Sequence, residues 1–127
     1  MKQTKLNKLN WQIYQALKNK QFKRYYNLLA IKKDYLYINF KKIIQNPNKY
    51  DVTYIGTCQN LDKNFMNNLV MNLLEIDLYY KKKWINKIYP FLNFSREYIL
   101  TNSIYITYNY VLFNESGIDY VFEVIKI

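Results

Sequence analysis

A sharp change of pattern at Asn46-Pro47-Asn48 constrains the fold of this chain more than any other feature. Before it, apolar residues recur at the three- and four-residue spacing of a helix; after it, short alternating runs typical of strands appear. Proline cannot continue a helix, and it biases the preceding residue away from the helical region. We therefore predict a basic helical extension over residues 1–49 and a sheet-containing domain over residues 50–127.

Three apolar stripes divide the extension into candidate helices. The first stripe comprises Leu6, Leu9, Ile13, Ala16 and Leu17, the second Phe22, Tyr25, Tyr26 and Leu29, and the third Leu36, Phe40, Ile43 and Ile44. Asn19-Lys20-Gln21 is predicted to separate the first two, and Asp34 is a candidate N-cap for the third. These stripes are compatible with two interpretations. One is an ordinary helical bundle with solvated lysines, and the other is a helical extension that binds nucleic acid.

Residues 50–127 combine strand and helix patterns. In chain order, the predicted elements are a strand over 50–57, a helix over 61–74, a long strand over 98–110, a turn over 114–117 and a last strand over 120–127. Residues 75–80 fit either the tail of the helix or a further strand. The long strand alternates a more apolar face with a hydroxyl-rich face. Because Pro90 marks a turn before it and a basic segment leads into it, we predict a projecting hairpin arm. The pattern as a whole predicts an α+β fold, in which helices cover one face of an antiparallel sheet.

Positive charge is concentrated in the extension. Residues 1–49 carry twelve lysine and arginine side chains and one acid, Asp34, for a net charge of +11. Residues 50–127 carry seven cations and eight acids, for a net charge of −1. Lysine, asparagine, isoleucine, tyrosine and phenylalanine have A/T-rich codons, so an A/T-rich genome explains part of the lysine content. It does not explain the asymmetry, since codon drift acts along the whole chain, and we predict an anionic partner for the extension.

Two groups of cations are candidate contacts for RNA phosphates. One comprises Lys81, Lys82, Lys83 and Lys87, next to Trp84, together with Arg96. The other comprises Lys18, Lys20, Lys23 and Arg24, where the first two predicted helices meet. Ammonium groups displace counterions from phosphates, and a nearby aromatic ring can stack on an unpaired base. A solvated charge run, with the aromatic residues in the core, is the alternative interpretation.

The composition excludes several kinds of chemistry. Cys58 is the only cysteine and there is no histidine, which excludes a disulfide framework, a zinc cluster and histidine-based catalysis. The two glycines, Gly56 and Gly117, are too far apart for a glycine-rich phosphate loop. The carboxylate pairs are Glu75 with Asp77 and Asp119 with Glu123. Neither pair has the spacing of metal ligands, and the residues around them do not indicate a pocket. We therefore predict a protein that is not an enzyme and uses no cofactor or metal.

Several segments of the second part carry a family resemblance. The first runs from Val52 to Asp62 into an apolar helix, the second is Pro90-Phe-Leu, the third runs from Arg96 to Ile106, and the fourth is Phe122-Glu-Val. In these segments the chain resembles the small-subunit ribosomal protein ten family, whose members have a ferredoxin-like fold in the head of the small ribosomal subunit. The resemblance implies a ferredoxin-like sheet and rRNA contacts at Ser103 and Tyr105. Residues 1–49 lie outside it.

Composition, charge and resemblance together suggest a location and partners. We predict an organelle-encoded constituent of the mitochondrial small ribosomal subunit, located in the matrix, with rRNA and neighbouring ribosomal proteins as partners and no small-molecule substrate. The abundance of aromatic residues predicts that the chain is not a free monomer. An accessory subunit of a respiratory-chain complex, whose lysines meet anionic lipid headgroups, is an alternative. A viral or parasite RNA-binding protein outside the ribosome is another.

Overall fold

The computed structural model describes residues 2–127, and the chain divides into two compact units, Met1–Asn39 and Phe40–Ile127. The helices are α1 Lys2–Lys18, α2 Phe22–Ile44, α3 Lys63–Val70, α4 Leu78–Ile88 and α5 Arg96–Leu100, with 3-10 turns at Pro47–Lys49 and Tyr89–Phe91. The strands are β1 Tyr50–Thr57, β2 Leu74–Glu75, β3 Ile104–Thr107, β4 Tyr110–Glu115 and β5 Ile118–Lys126. The predicted α+β class, with a helical N-terminal part, is confirmed.

The first unit is an antiparallel helical hairpin. Leu9 and Ala16 of α1 pack against Leu28 of α2, and this core excludes water along the shared face. The connecting turn is a Schellman motif: the Gln21 N–H donates to Ala16 O at 2.8 Å, and the Lys20 N–H donates to Leu17 O at 3.1 Å. The predicted break at 19–21 is therefore confirmed.

One long helix replaces the second and third predicted helices. The segment between the two apolar stripes contains neither glycine nor proline, so nothing in it interrupts α2. Asp34 consequently lies exposed inside α2, and its prediction as an N-cap is wrong. The predicted stop at Pro47 is confirmed, since α2 ends at Ile44 and a 3-10 turn begins at Pro47.

The second unit contains a five-stranded antiparallel sheet in the order β1-β5-β4-β3-β2. Strands β3, β4 and β5 form a meander, and β1 pairs with β5 at one edge. Ser116 and Gly117 connect β4 to β5 with φ of +50° and +78°, the paired positive angles of a type I′ hairpin turn. The element order β-α-β-α-α-β-β-β differs from the β-α-β-β-α-β order of a ferredoxin-like unit.

Both faces of the sheet are covered. Val121 of β5 packs with Met66 and Leu69 of α3. Its neighbour Phe122 points to the opposite face, where its ring lies 5.9 Å from the ring of Phe91. Helical segments therefore cover two faces, whereas the sequence pattern predicted one.

The predicted long strand over 98–110 is wrong. Its first part is α5, whose N-terminus is capped by Ser95 Oγ accepting from the Tyr98 N–H at 3.1 Å. Its second part, β3, lies inside the sheet between β2 and β4, and Ile104 and Ile106 are fully buried. The expected projecting arm is therefore an internal part of the sheet. The Ser95 hydroxyl caps a helix, and the chain reverses direction after Thr107. These two features override the strand that the alternating pattern predicted.

Gly56 lies at a bulge in β1, and its replacement provides a test of this backbone. Its φ is +136°, and an added Cβ would lie 3.3 Å from Leu61 Cδ2. We expect Gly56→Ala to lower the free energy of unfolding by about 1–3 kcal/mol, measured by urea denaturation. Gly117→Ala is the comparison, because nothing lies within 4 Å of the added carbon. We expect a smaller loss there, since its φ of +78° is closer to the left-handed region that alanine can adopt. An equal loss at both glycines would contradict a role for the Leu61 contact.

Candidate nucleic-acid interface

The structure groups four predicted RNA-binding cations around the turn between α1 and α2. Lys18 ends α1, Lys20 lies in the turn, and Lys23 and Arg24 belong to the first turn of α2. All four residues are exposed. We call this group the turn patch; it presents four positive charges on a segment without any acid.

An open surface pocket with a volume of about 570 Å³ adjoins the turn patch. Lys23 and Arg24 line it together with Phe22, whose side chain is 53% exposed. An exposed aromatic ring beside cations is the combination that binds single-stranded nucleic acid, because phosphates meet the charges while a base stacks on the ring. The amides of Gln12 and Asn27 add hydrogen-bonding groups to the wall.

Three of these cations occupy positions that are unfavourable for folding. Lys20 has φ of +57°, the left-handed conformation in which glycine is preferred. Lys23 and Arg24 lie at the positive end of the α2 dipole, where positive side chains are each unfavourable by about 0.3–1 kcal/mol. Lys18 lies in the last turn of α1, where a positive charge is favourable. Folding stability therefore explains Lys18 but not Lys23 and Arg24. A bound anion would remove this repulsion.

Two other lysines of the extension take part in the structure of the helical hairpin. The Lys5 Nζ lies 4.9 Å from the ring centroid of Tyr35. Lys32 donates a hydrogen bond to Asn10 Oδ1, and burial lowers the pKa of its ammonium group. Some lysines of the extension therefore make contacts inside the hairpin, whereas others, including those of the turn patch, are exposed.

The second predicted group of cations lies on α4, but its members have different environments. The Lys81 Nζ donates to Leu100 O at 3.0 Å and to Asn102 O at 2.6 Å, so it caps the carboxyl end of α5. Lys82 is exposed, and the Lys83 Nζ lies 4.7 Å from the ring centroid of Tyr79. Lys87 is half-buried. Lys82 and Lys83 are thus the most accessible members of this group.

Trp84 is part of the core rather than a stacking surface. Its side chain is 0% exposed, and its Nε1–H donates to Ile44 O at 2.9 Å. The indole therefore fastens α4 to the end of α2. The sequence pattern suggested an aromatic ring for base stacking next to the lysines, and the structure removes Trp84 from that role.

The different environments of Lys81 and Lys82 lead to a test. We expect Lys81→Met to lower the free energy of unfolding by about 1.5–3 kcal/mol, because it leaves two carbonyl oxygens without a charged donor. Lys82→Met is the matched neighbour, and we expect its effect on stability to stay within about 0.5 kcal/mol. Thermal and urea denaturation measure both. Similar losses for the two variants would contradict the capping role of Lys81.

The remaining predicted RNA contacts lie apart from the turn patch in sequence and belong to other elements. The Arg96 guanidinium lies 4.8 Å from the ring centroid of Tyr89. The Ser103 carbonyl accepts from the Asn114 N–H at 3.0 Å, just before β3. Tyr105 is half-buried on β3 and packs against the core beneath α3. Arg96 is therefore more accessible than Tyr105.

Sequence reasoning missed a polar cleft in the second unit. Residues 45–49 line it together with Lys83 and Asn86 of α4. These two segments are far apart in sequence, and no local pattern indicates that they meet. The buried Trp84, whose Nε1–H donates to Ile44 O, helps to hold them together, and the sequence did not reveal its burial.

Neither metal chemistry nor a membrane span is indicated in the described part of the chain. Among residues 2–127, no three carboxylate, thiol or imidazole groups come together as a possible metal site. Within the same residues, no helix has both the length and the apolar character needed to cross a bilayer.

No protein-family model, curated protein or solved structure matches this chain. The resemblance to the ribosomal family, and the rRNA contacts that it implies at Ser103 and Tyr105, therefore stay predictions.

Proposed function

We propose that this protein is an rRNA-binding structural constituent of the mitochondrial small ribosomal subunit and that it acts by binding. The turn patch is the principal contact: its cations neutralise phosphates, and the neighbouring Phe22 stacks on an unpaired base. Lys82, Lys83 and Arg96 of the second unit add further phosphate contacts. The sheet supports these cations and packs on neighbouring proteins.

One observation carries the proposal: four exposed cations cluster around one turn, and three of them stand at positions where they oppose folding. Lys20 adopts a left-handed conformation, and Lys23 and Arg24 repel the positive end of α2. Drift toward A/T-rich codons accounts for lysine in general but not for Arg24, since arginine is rare in this chain. Binding of a polyanion gives these positions a function.

Fractionation of an organelle lysate tests the proposal. The protein should sediment with the small ribosomal subunit at low salt and be released by high salt, because phosphate contacts weaken as salt increases. The purified protein should bind rRNA fragments with an affinity that falls linearly on a log–log plot against salt. Binding that does not depend on salt, or an absence of binding, would contradict the proposal.

A second candidate function rests on a different exposed surface. Trp11, Tyr14 and Leu17 of α1 are exposed, and the Lys18 Nζ lies 6.0 Å from the Tyr14 ring centroid. Aromatic rings beside lysines also suit the headgroup region of an anionic bilayer, which favours an accessory subunit of a respiratory-chain complex. The same fractionation separates the two functions, since this alternative predicts co-migration with inner-membrane complexes.

A further inference from the structure

The polar cleft of the second unit has the character of a binding site. It has a volume of about 440 Å³, within the range of small-molecule sites. Its lining consists of residues 45–49, Lys83 and Asn86, which comprise two lysines, four amide-bearing residues and one proline. The Lys83 Nζ lies 4.7 Å from the Tyr79 ring centroid, so the Lys83 side chain must turn away from that ring to place its ammonium group on a ligand in the cleft. No carboxylate is among these lining residues.

The wall formed by the end of α2 is fully hydrogen-bonded without the two lysines. Four carbonyls at a helix end lack partners within the helix. Here Lys41 O accepts from the Gln45 N–H at 2.9 Å, and Ile44 O accepts from Trp84 Nε1–H at 2.9 Å. Asn46 satisfies the remaining two, because its side chain donates to Lys42 O and its backbone N–H to Ile43 O. Capping of α2 therefore does not account for the ammonium groups of the cleft.

The floor of the cleft is held from three sides. Trp84 anchors α4 to α2, the buried Pro47 fixes the 3-10 turn, and the Ile127 N–H donates to Lys49 O at 3.0 Å. On α4, Lys83 and Asn86 are three positions apart and share one face. The backbone floor of the cleft is thus preformed, which reduces the entropy lost when a ligand binds.

Its chemistry suits a ligand with both an anionic group and a hydrogen-bonding edge. Two cations in a concave site concentrate positive potential, which attracts phosphate. Side-chain amides offer a donor and an acceptor side by side, the arrangement that pairs with the edge of a nucleobase and matches adenine best. Asn48 and Asn86 supply such groups beside Lys49 and Lys83.

We propose that this cleft binds one unpaired nucleotide of an RNA, with its phosphate on Lys49 and Lys83 and its base edge on the amides of Asn48 and Asn86. The proposal rests on the proposed RNA-binding function and extends it: the turn patch provides charge, and the cleft provides selection of a base. Unpaired bases are the parts of an RNA that proteins read by such edges.

Titration of the ¹⁵N-labelled protein with adenosine 5′-monophosphate tests this site. The side-chain NH₂ signals of Asn48 and Asn86 should shift, while those of Asn64 and Asn67 on the exposed side of α3 should stay in place. Inorganic phosphate should leave the amide signals unchanged, and adenosine should bind more weakly than the nucleotide. Equal responses to phosphate and to the nucleotide would overturn the proposal, since charge alone would then explain binding.

Variants at exposed positions separate the cleft from general charge. Lys83→Gln should weaken nucleotide binding about tenfold, the loss expected for one charge-assisted hydrogen bond. Asn86→Asp should weaken it by a similar factor, because the new carboxylate cannot donate to the base and repels the phosphate. On α3, Lys63→Gln removes one positive charge and Asn67→Asp adds one negative charge. Neither variant should change nucleotide binding. All four side chains are exposed, so the fold should persist, and circular dichroism checks this.

Binding of a short unstructured RNA to the same preparation distinguishes the two proposals. RNA that displaces the nucleotide supports the assignment of the cleft to RNA. RNA can also bind through the turn patch without displacing the nucleotide, or without shifting the Asn48 and Asn86 signals. That result overturns the assignment of the cleft, while the proposed function stands. If no RNA binds at all, the proposed function fails first, and the assignment of the cleft to an RNA nucleotide fails with it.

Discussion

Trp84→Ala is expected to lower the free energy of unfolding by about 4 kcal/mol or more, a large part of the total stability of a domain of this size. The indole is fully buried, so truncation leaves a cavity in the core of the second unit. It also removes the donor to Ile44 O, which then has no partner at the end of α2. Urea denaturation followed by far-ultraviolet circular dichroism measures the loss.

Two further variants identify the origin of that loss. Trp84→Phe keeps an apolar ring but lacks the Nε1–H, and we expect it to lower the free energy of unfolding by about 1–3 kcal/mol. Trp11 is the other tryptophan and is 61% exposed, so Trp11→Ala should change the stability by less than about 0.5 kcal/mol. A loss from Trp84→Ala no larger than that from Trp11→Ala would contradict the assignment of Trp84 as the anchor between α2 and α4.

Elements with local signals were predictable from the sequence. The stripe through Leu9 and Ala16 predicted α1, and the polar segment at 19–21 predicted its end. Asp62 favoured the start of α3 because a carboxylate stabilises the positive end of a helix, and its side chain also accepts from the Phe65 N–H. The helix predicted over 61–74 is too long, since α3 ends at Val70 and Leu74 begins β2. The glycine at 117 marked the last hairpin, since few residues adopt a positive φ easily. In each case the residues that determine the structure are neighbours in the chain.

Elements determined by tertiary contacts were not predictable. Tyr98 and Leu100 alternate like strand residues, yet Ser95 caps a helix there and the following residues turn into the sheet. Lys81 looks like a solvated cation until the carbonyls of Leu100 and Asn102 come within hydrogen-bonding distance. The charge asymmetry predicted an anionic partner for the extension, but only the turn geometry shows which of its cations oppose folding.

Neutralising the turn patch is expected to weaken RNA binding while leaving the protein more stable. In the variant Lys20→Gly/Lys23→Gln/Arg24→Gln, glycine relieves the left-handed conformation, and two positive charges leave the positive end of α2. The free energy of unfolding should rise by about 1–2 kcal/mol. The log–log salt slope for a single-stranded rRNA fragment should fall by about 2, because three phosphate contacts are lost. Fluorescence anisotropy at several salt concentrations and urea denaturation give the two readouts.

A pair of variants with matched charge shows whether position or net charge causes the effect. Two double variants each remove two positive charges: Lys23→Gln/Arg24→Gln and Lys63→Gln/Lys126→Gln. Each double variant includes a cation from the first turn of a helix. Contact at the turn patch predicts a lower salt slope for the first pair and an unchanged slope for the second. Equal reductions would mean that RNA senses only the total charge of the chain. A loss of stability in the first pair would contradict the repulsion from which the function of the turn patch was inferred, because cations that support the helix require no anion to explain them.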